Sequence, residues 1–278
     1  MKKGAALIAI WALLCILPIA GASSDAPAFS SLREACDYIA SQTAALPEEI
    51  RFSLPKETLL APYPAVDDRG TIGRWDMEDA VWNLIYLFPE MYKLGYAILE
   101  TETMAQVTLR PIYRFSSRCL TAIAEGRLST LSAREWEALN KALMVAGIAL
   151  EEGDLGKREE KAASLLCETI AFTDTIPAGA QEENDPRSGL CALLHGQANC
   201  QGYADAFSLV MNLCGFECRL VTGWTADGQA HVWNRVLTEP PHDADITLMD
   251  AEEGFDVRYL PMEESILQAR RECALPEN

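Results

Sequence analysis

The sequence predicts an α+β fold, on three observations. Residues Cys200 to Cys214 read as a helix, with Tyr203, Phe207, Val210 and Cys214 at core spacing. Three strand-like runs follow: Cys218 to Trp224, Ala230 to Leu237, and Ile246 to Asp250. The link GWTADGQ carries Asp227-Gly228, a hairpin signal that makes the first two runs antiparallel neighbours. A helix packed on an antiparallel sheet is the simplest arrangement of these parts, preceded by a smaller region of mixed helix and strand.

From the start of the chain, Lys2 and Lys3 precede an apolar run from Ala5 to Ile19, broken only by Pro18. Ala20-Gly21-Ala22 then matches an A-x-A cleavage pattern, so residues 1–22 are expected to be a secretory signal peptide. A retained anchor is the alternative, although the run is short for a bilayer span. Residues 23–150 form the N-terminal region, whose role the sequence leaves open. In it, Leu32, Ala35, Cys36 and Ile39 recur at helical spacing. Ile50, Phe52 and Leu54 alternate like a half-buried strand, and residues 56–75 read as loop. A helix is expected from Met77 to Leu87, stopped by Pro89. AQVTLRPIYRF, residues 105–115, reads as a strand that Pro111 puts at an edge or ends early.

Ser132 and Glu135 make a capping box for a helix reaching Leu150. A polar joint at 151–156 marks the boundary of the C-terminal domain, 151–278. A helix from Lys157 to Phe172 is expected to bury Ala162, Leu165, Leu166 and Ile170. The Pro-, Gly- and acid-rich stretch from Thr173 to Arg187 reads as a solvated loop, and Ser188 to Leu194 as a short helix. Gly196 to Asn199 is a turn before the Cys200 helix, and Gly215 is placed to stop that helix.

Cys200 therefore falls at a helix N-terminus, where backbone N–H groups and the helix dipole favour a thiolate. A thiolate nucleophile still needs a proton-transfer partner. His231 lies on a strand, in AHVWNRV, with Trp233 and Arg235 on its face and Val232, Asn234 and Val236 on the other. A helix packed on the histidine face would bring Cys200 to His231. An aspartate on the third strand would orient the ring, with Asp245 and Asp250 both available. A lone buried cysteine is usually packing, and a lone strand histidine is usually structural. Helix, strand and strand carrying Cys, His and Asp in order is harder to obtain by accident.

The stretches CQGYADAFSLVMNLCGFECRLVTGW, AHVWNRV and ITLMD together resemble the core of the transglutaminase-like superfamily. Its cysteine motif, C-x-G-Y-A-x-A-F, is matched from Cys200 to Phe207, and its histidine motif, H-x-W-N-x-V, from His231 to Val236. The resemblance covers roughly residues 157–255. It implies a papain-like core with a catalytic triad of Cys200 as nucleophile, His231 as general base and acid, and Asp250 as orienting acid. It implies acyl transfer through a thioester: hydrolysis when water resolves it, cross-linking when an amine does. Asp245-Ile246-Thr247 spells the D-x-T often found at the family's aspartate, which makes Asp245 the rival. Asp250 is preferred because ITLM reads as a strand and PPHDA does not.

The other polar candidates carry less. His195 and His242 read as loop residues, and Glu182, Glu183 and Asp185 lack the spacing of a calcium loop. Nine cysteines with no C-x-x-C, and only three histidines, do not make a zinc site, and neither cofactor nor metal is expected. A formal net charge of −18 opposes binding to nucleic acid or to an anionic membrane. The expectation is an exported cysteine hydrolase, secreted or at the cell surface. Its substrate would be a protein or peptide, a cell-wall peptide being one candidate. The competing expectation is an inactive binding or scaffold module on the same fold.

Overall fold

The computed structural model describes residues 26–43, 45–60, 65–66, 72–73, 88–224, 230–250 and 260–261. The expected signal peptide, the helix at 77–87 and the centre of the GWTADGQ turn lie outside them.

The N-terminal part is built on α1 (Leu32–Thr43) and β1 (Ile50–Pro55), as the spacing predicts. Residues 56–75, read as loop, instead begin with α2 (Lys56–Leu60) and include the short pair β2 (Ala65–Val66) and β3 (Ile72–Gly73). Strand β4 (Met91–Glu100) was not anticipated, because its apolar residues run together instead of alternating. It pairs antiparallel with β5 (Met104–Tyr113), and the sheet order is β1-β5-β4. Pro111 neither ends β5 nor sits on an edge strand. Pairing with β1 stops at Leu109, so on that side Pro111 has no ladder to interrupt.

Beyond Tyr113 the chain becomes helical: α3 (Phe115–Ala124), α4 (Ala133–Leu150) and α5 (Leu155–Thr169). The Ser132–Glu135 capping box opens α4, and the Asp154 side chain caps α5 through Lys157 N. The short strand β6 (Ala171–Phe172) follows. Then come α6 (Gly189–His195), β7 (Gln197–Ala198), which pairs parallel with β6, and α7 (Cys200–Leu213). Gly215, with φ at +87°, stops α7 in the left-handed conformation that favours glycine.

Strands β8 (Cys218–Trp224) and β9 (Ala230–Val236) form the expected antiparallel pair. The third strand is not Ile246–Asp250. It is β10 (His242–Ala244), and Ile246–Asp250 is a helix, α8. With β11 (Leu260–Pro261) the sheet order is β10-β9-β8-β11. A run as short as ITLM fits a helix as readily as a strand, and here the helix wins. The PPHDA segment is held as a strand by charge: Arg235 Nε donates to Asp243 Oδ1 at 2.7 Å, between register partners of β9 and β10.

Two buried cores result. One gathers α1, β1, β4 and β5, with Ile39, Phe52, Leu94, Val107 and Tyr113 among its members. The other runs from Phe115 to Ile246 and encloses α7. The boundary drawn at 151 falls inside this second core, because Ala138, Leu139, Ala142 and Ala146 of α4 pack with Phe207 and Val210 of α7.

Candidate active site

Helix α7 begins where its caps dictate. Asn199 is extended, and its side-chain oxygen accepts from Gln201 N at 3.0 Å and Gly202 N at 3.4 Å. Cys200, half-buried, is the first helical residue. The 185–187 segment presses on this turn from outside: Asn199 N donates to Pro186 O at 2.9 Å. A β-carbon on Gly202 would meet that same carbonyl oxygen at 2.2 Å, so only glycine fits there.

The sheet meets α7 differently from the expectation. The side chain of Asn234 donates to Ala204 O at 2.9 Å, and Val236 joins the core around Phe207. The helix thus packs on the Asn234–Val236 face, not on the histidine face. The Cys200 side chain is nonetheless a hydrogen-bond partner of His231.

His231 lies near the start of β9, its side chain only 10% exposed. Its Nε2 lies 2.6 Å from Asp245 Oδ2. A carboxylate oxygen can only accept, so Nε2 carries the proton, and Nδ1 is the nitrogen left for Cys200. The indole of Trp233 stacks near the imidazole, with centroids 6.2 Å apart and planes 15° from parallel. Burial alone would hold the imidazole neutral, but Asp245 and Cys200 outweigh it and raise its pKa to about 10.

Asp245, 1% exposed, directly follows β10. Its Oδ1 accepts from Thr247 N at 3.1 Å and Leu248 N at 3.3 Å, capping α8, while Oδ2 faces His231. The acid on the histidine is therefore Asp245. The preference for Asp250 rested on a strand that is a helix, and the Asp250 side chain lies outside the described residues. The D-x-T spelling carried the better signal, since a threonine two residues after an aspartate is a turn and cap pattern.

The acidic loop is also not simply solvated. Asp185 is fully buried, and its two oxygens accept from Arg187 Nε at 2.9 Å and Nη2 at 2.7 Å. Burial would raise its pKa, but Arg187 and Tyr92 bring it down to about 2. Glu182 pairs with Arg118 at 3.0 Å and accepts from Ser188 Oγ at 3.1 Å. His195 is the exposed last residue of α6. His242 is in β10, and its Nε2 reaches Glu159 Oε1 at 2.9 Å.

Two residues bearing on the site were not singled out from the sequence. Asn199 was findable, because Asn immediately before a helical run is a cap signal. Arg114 was not, since nothing local marks an arginine that will be buried. Among the described residues, no group of three or more His, Cys, Asp or Glu side chains could hold a metal ion.

The family model of the transglutaminase-like superfamily matches residues 144–244. This part of the chain is similar to a transglutaminase-like core. The match takes in Cys200 and His231 and stops one residue before Asp245. Among solved structures, the chain is similar to a TGase at 12% identity and a TM-score of 0.35, over 72% of this chain and 51% of that one. It is also similar to the periplasmic domain of TgpA from Pseudomonas aeruginosa bound to ethylmercury. There the identity is 15% and the TM-score 0.35, over 57% of this chain and 66% of that one. The chain thus spans about half the length of the first and just under two thirds of the second. A search of curated proteins finds no match.

Proposed function

We propose that this protein is a cysteine acyl-transfer enzyme acting on amide bonds, with Cys200 as nucleophile, His231 as acid and base, and Asp245 as orienting acid. The observation that carries the reading is the Asp245 carboxylate on His231 Nε2 while Cys200 acts on the same ring. A protonated imidazole beside a sulfur at a helix N-terminus favours the thiolate–imidazolium pair.

The Cys200 thiolate attacks the amide carbonyl carbon, and the carbonyl electrons move to oxygen. His231 gives its proton to the departing nitrogen as the C–N bond breaks, leaving a thioester and a free amine. Water then attacks the thioester, His231 takes the water proton, and the C–S bond breaks to return the thiolate. Asp245 holds the ring through both transfers. The Asn199 cap takes up the amides of Gln201 and Gly202. This leaves Cys200 N as the first-turn donor that we assign to the oxyanion.

Hydrolysis is favoured over cross-linking because water is the acceptor always present. We assign a protein or peptide substrate, with cell-wall peptide as one candidate. Export by the signal-like residues 1–22 would place the enzyme outside the cytoplasm. No helix among the described residues is long and apolar enough to cross a membrane.

The test is mass spectrometry after brief, dilute iodoacetamide. Cys200 should label ahead of the other thiols, and His231→Ala should remove that advantage. Labelling of Cys200 at the rate of the other thiols, unchanged by His231→Ala, would overturn the reading.

A further inference from the structure

Arg114 stands between Tyr113, the last member of one buried core, and Phe115, the first member of the other. It is 2% exposed, an unusual position for a guanidinium. Its Nε donates to Pro89 O, its Nη1 to Arg187 O at 3.3 Å, and its Nη2 to Gln201 Oε1 at 3.2 Å. Gln201 is the residue after Cys200, and Arg187 belongs to the segment that presses on the first turn of α7. A side chain that opens the helical half therefore ties two loops to the start of the nucleophile helix.

The charge it brings is balanced without a direct partner. Asp205 of α7 is also fully buried, with Oδ1 accepting from Ser116 N at 3.2 Å and Oδ2 from Gly189 N at 2.8 Å. Backbone N–H groups hold Asp205, while two backbone carbonyls and the Gln201 side chain hold Arg114. Burial pulls the Arg114 pKa down, while the charges of Asp205 and Cys200 push it back up.

We propose that Arg114 is a positioning residue for the nucleophile: it fixes the first turn of α7 through Gln201 and brings a buried positive charge to that turn. This rests on the reading of Cys200 as nucleophile and makes the N-terminal sheet a support of the site. Arg114 is assigned no contact with substrate, because its side chain is buried within the protein.

The experiment is the rate of Cys200 alkylation against pH in the full chain. Wild type, Arg114→Met, Arg114→Lys and Gln201→Met are compared, with near-UV circular dichroism and Tm measured on each. Arg114→Met should move the midpoint of the alkylation profile up by about one pH unit. Arg114→Lys should restore most of that shift but not the full rate, since lysine keeps the charge and loses the fork. Gln201→Met leaves Arg114 in place and should slow alkylation severalfold with little change in Tm.

A folded Arg114→Met with the wild-type profile would overturn the proposal. If Arg114→Met does not fold, an unchanged Gln201→Met profile and rate overturns it instead. A wild-type Cys200 that is slow and indifferent to His231→Ala sinks the functional reading and this proposal together. A fast, His231-dependent Cys200 that is indifferent to Arg114 and Gln201 sinks this proposal alone.

Discussion

The starts of α7 and α8 are both capped by an Asx side chain, yet the two caps leave different chemistry behind. Asn199 offers one carbonyl oxygen, and both of its acceptor contacts go to the first-turn amides of α7. Asp245 offers two oxygens, so one caps α8 while the other binds His231. A neutral amide is enough where the helix needs only an end and the functional atom, Cys200 Sγ, belongs to the next residue. A carboxylate is needed where the cap must also hold a cationic ring. One position is structural with a functional neighbour, whereas the other is structural and functional at once.

The comparison can be broken in four places, from the largest effect to the smallest. Cys200→Ser should lower acyl transfer on the order of 10⁴-fold or more, with Tm unchanged because the Asn199 cap is untouched. Asp245→Asn keeps an oxygen for the cap but removes the charge on the ring, and should lower the rate about 10²- to 10⁴-fold at near-constant stability. Asn199→Ala should do the reverse. Thermal denaturation should show a loss of about 1 kcal/mol, with only a severalfold decline in Cys200 labelling. Asp250→Asn should leave labelling and Tm as they are. Equal losses from the variants at 245 and 250 would remove the distinction between the two acids.

The same pair predicts a pH dependence of stability. The pKa of His231 is raised in the folded protein from 6.5 to about 10. The stabilisation it supplies is complete below the unfolded value and disappears as pH rises through the folded value. Chemical denaturation between pH 6 and 10.5 should therefore show falling stability in the wild type. The fall should be shallower in Asp245→Asn, where the main group holding the proton is gone.

Much of this was legible from residue spacing. The helix with Cys200 at its start, the Gly215 stop, the Ser132–Glu135 box and the β8–β9 pair are local patterns, and each folds as its pattern requires. The failures were of another kind. β10 is three residues long and held by Arg235–Asp243, so no alternation announces it. ITLM has no period long enough to separate helix from strand, and Asp245 as cap settles it. The packing face of β9 was decided by Asn234 reaching Ala204 O, a tertiary contact that strand alternation does not rank. Asp185 and Arg114 are charges buried by segments distant in sequence, so composition read one as solvated and passed over the other.

The most direct test of the central claim is the rate of Cys200 alkylation across pH 4 to 10.5 in the wild type, His231→Ala and Asp245→Asn. If Asp245 holds His231 as the partner of Cys200, the wild type should label rapidly at neutral pH. His231→Ala should label only as an ordinary thiol does, near pH 8.5, and Asp245→Asn should fall between them. Three superimposable profiles, with Cys200 behaving as an ordinary thiol in each, would contradict the account.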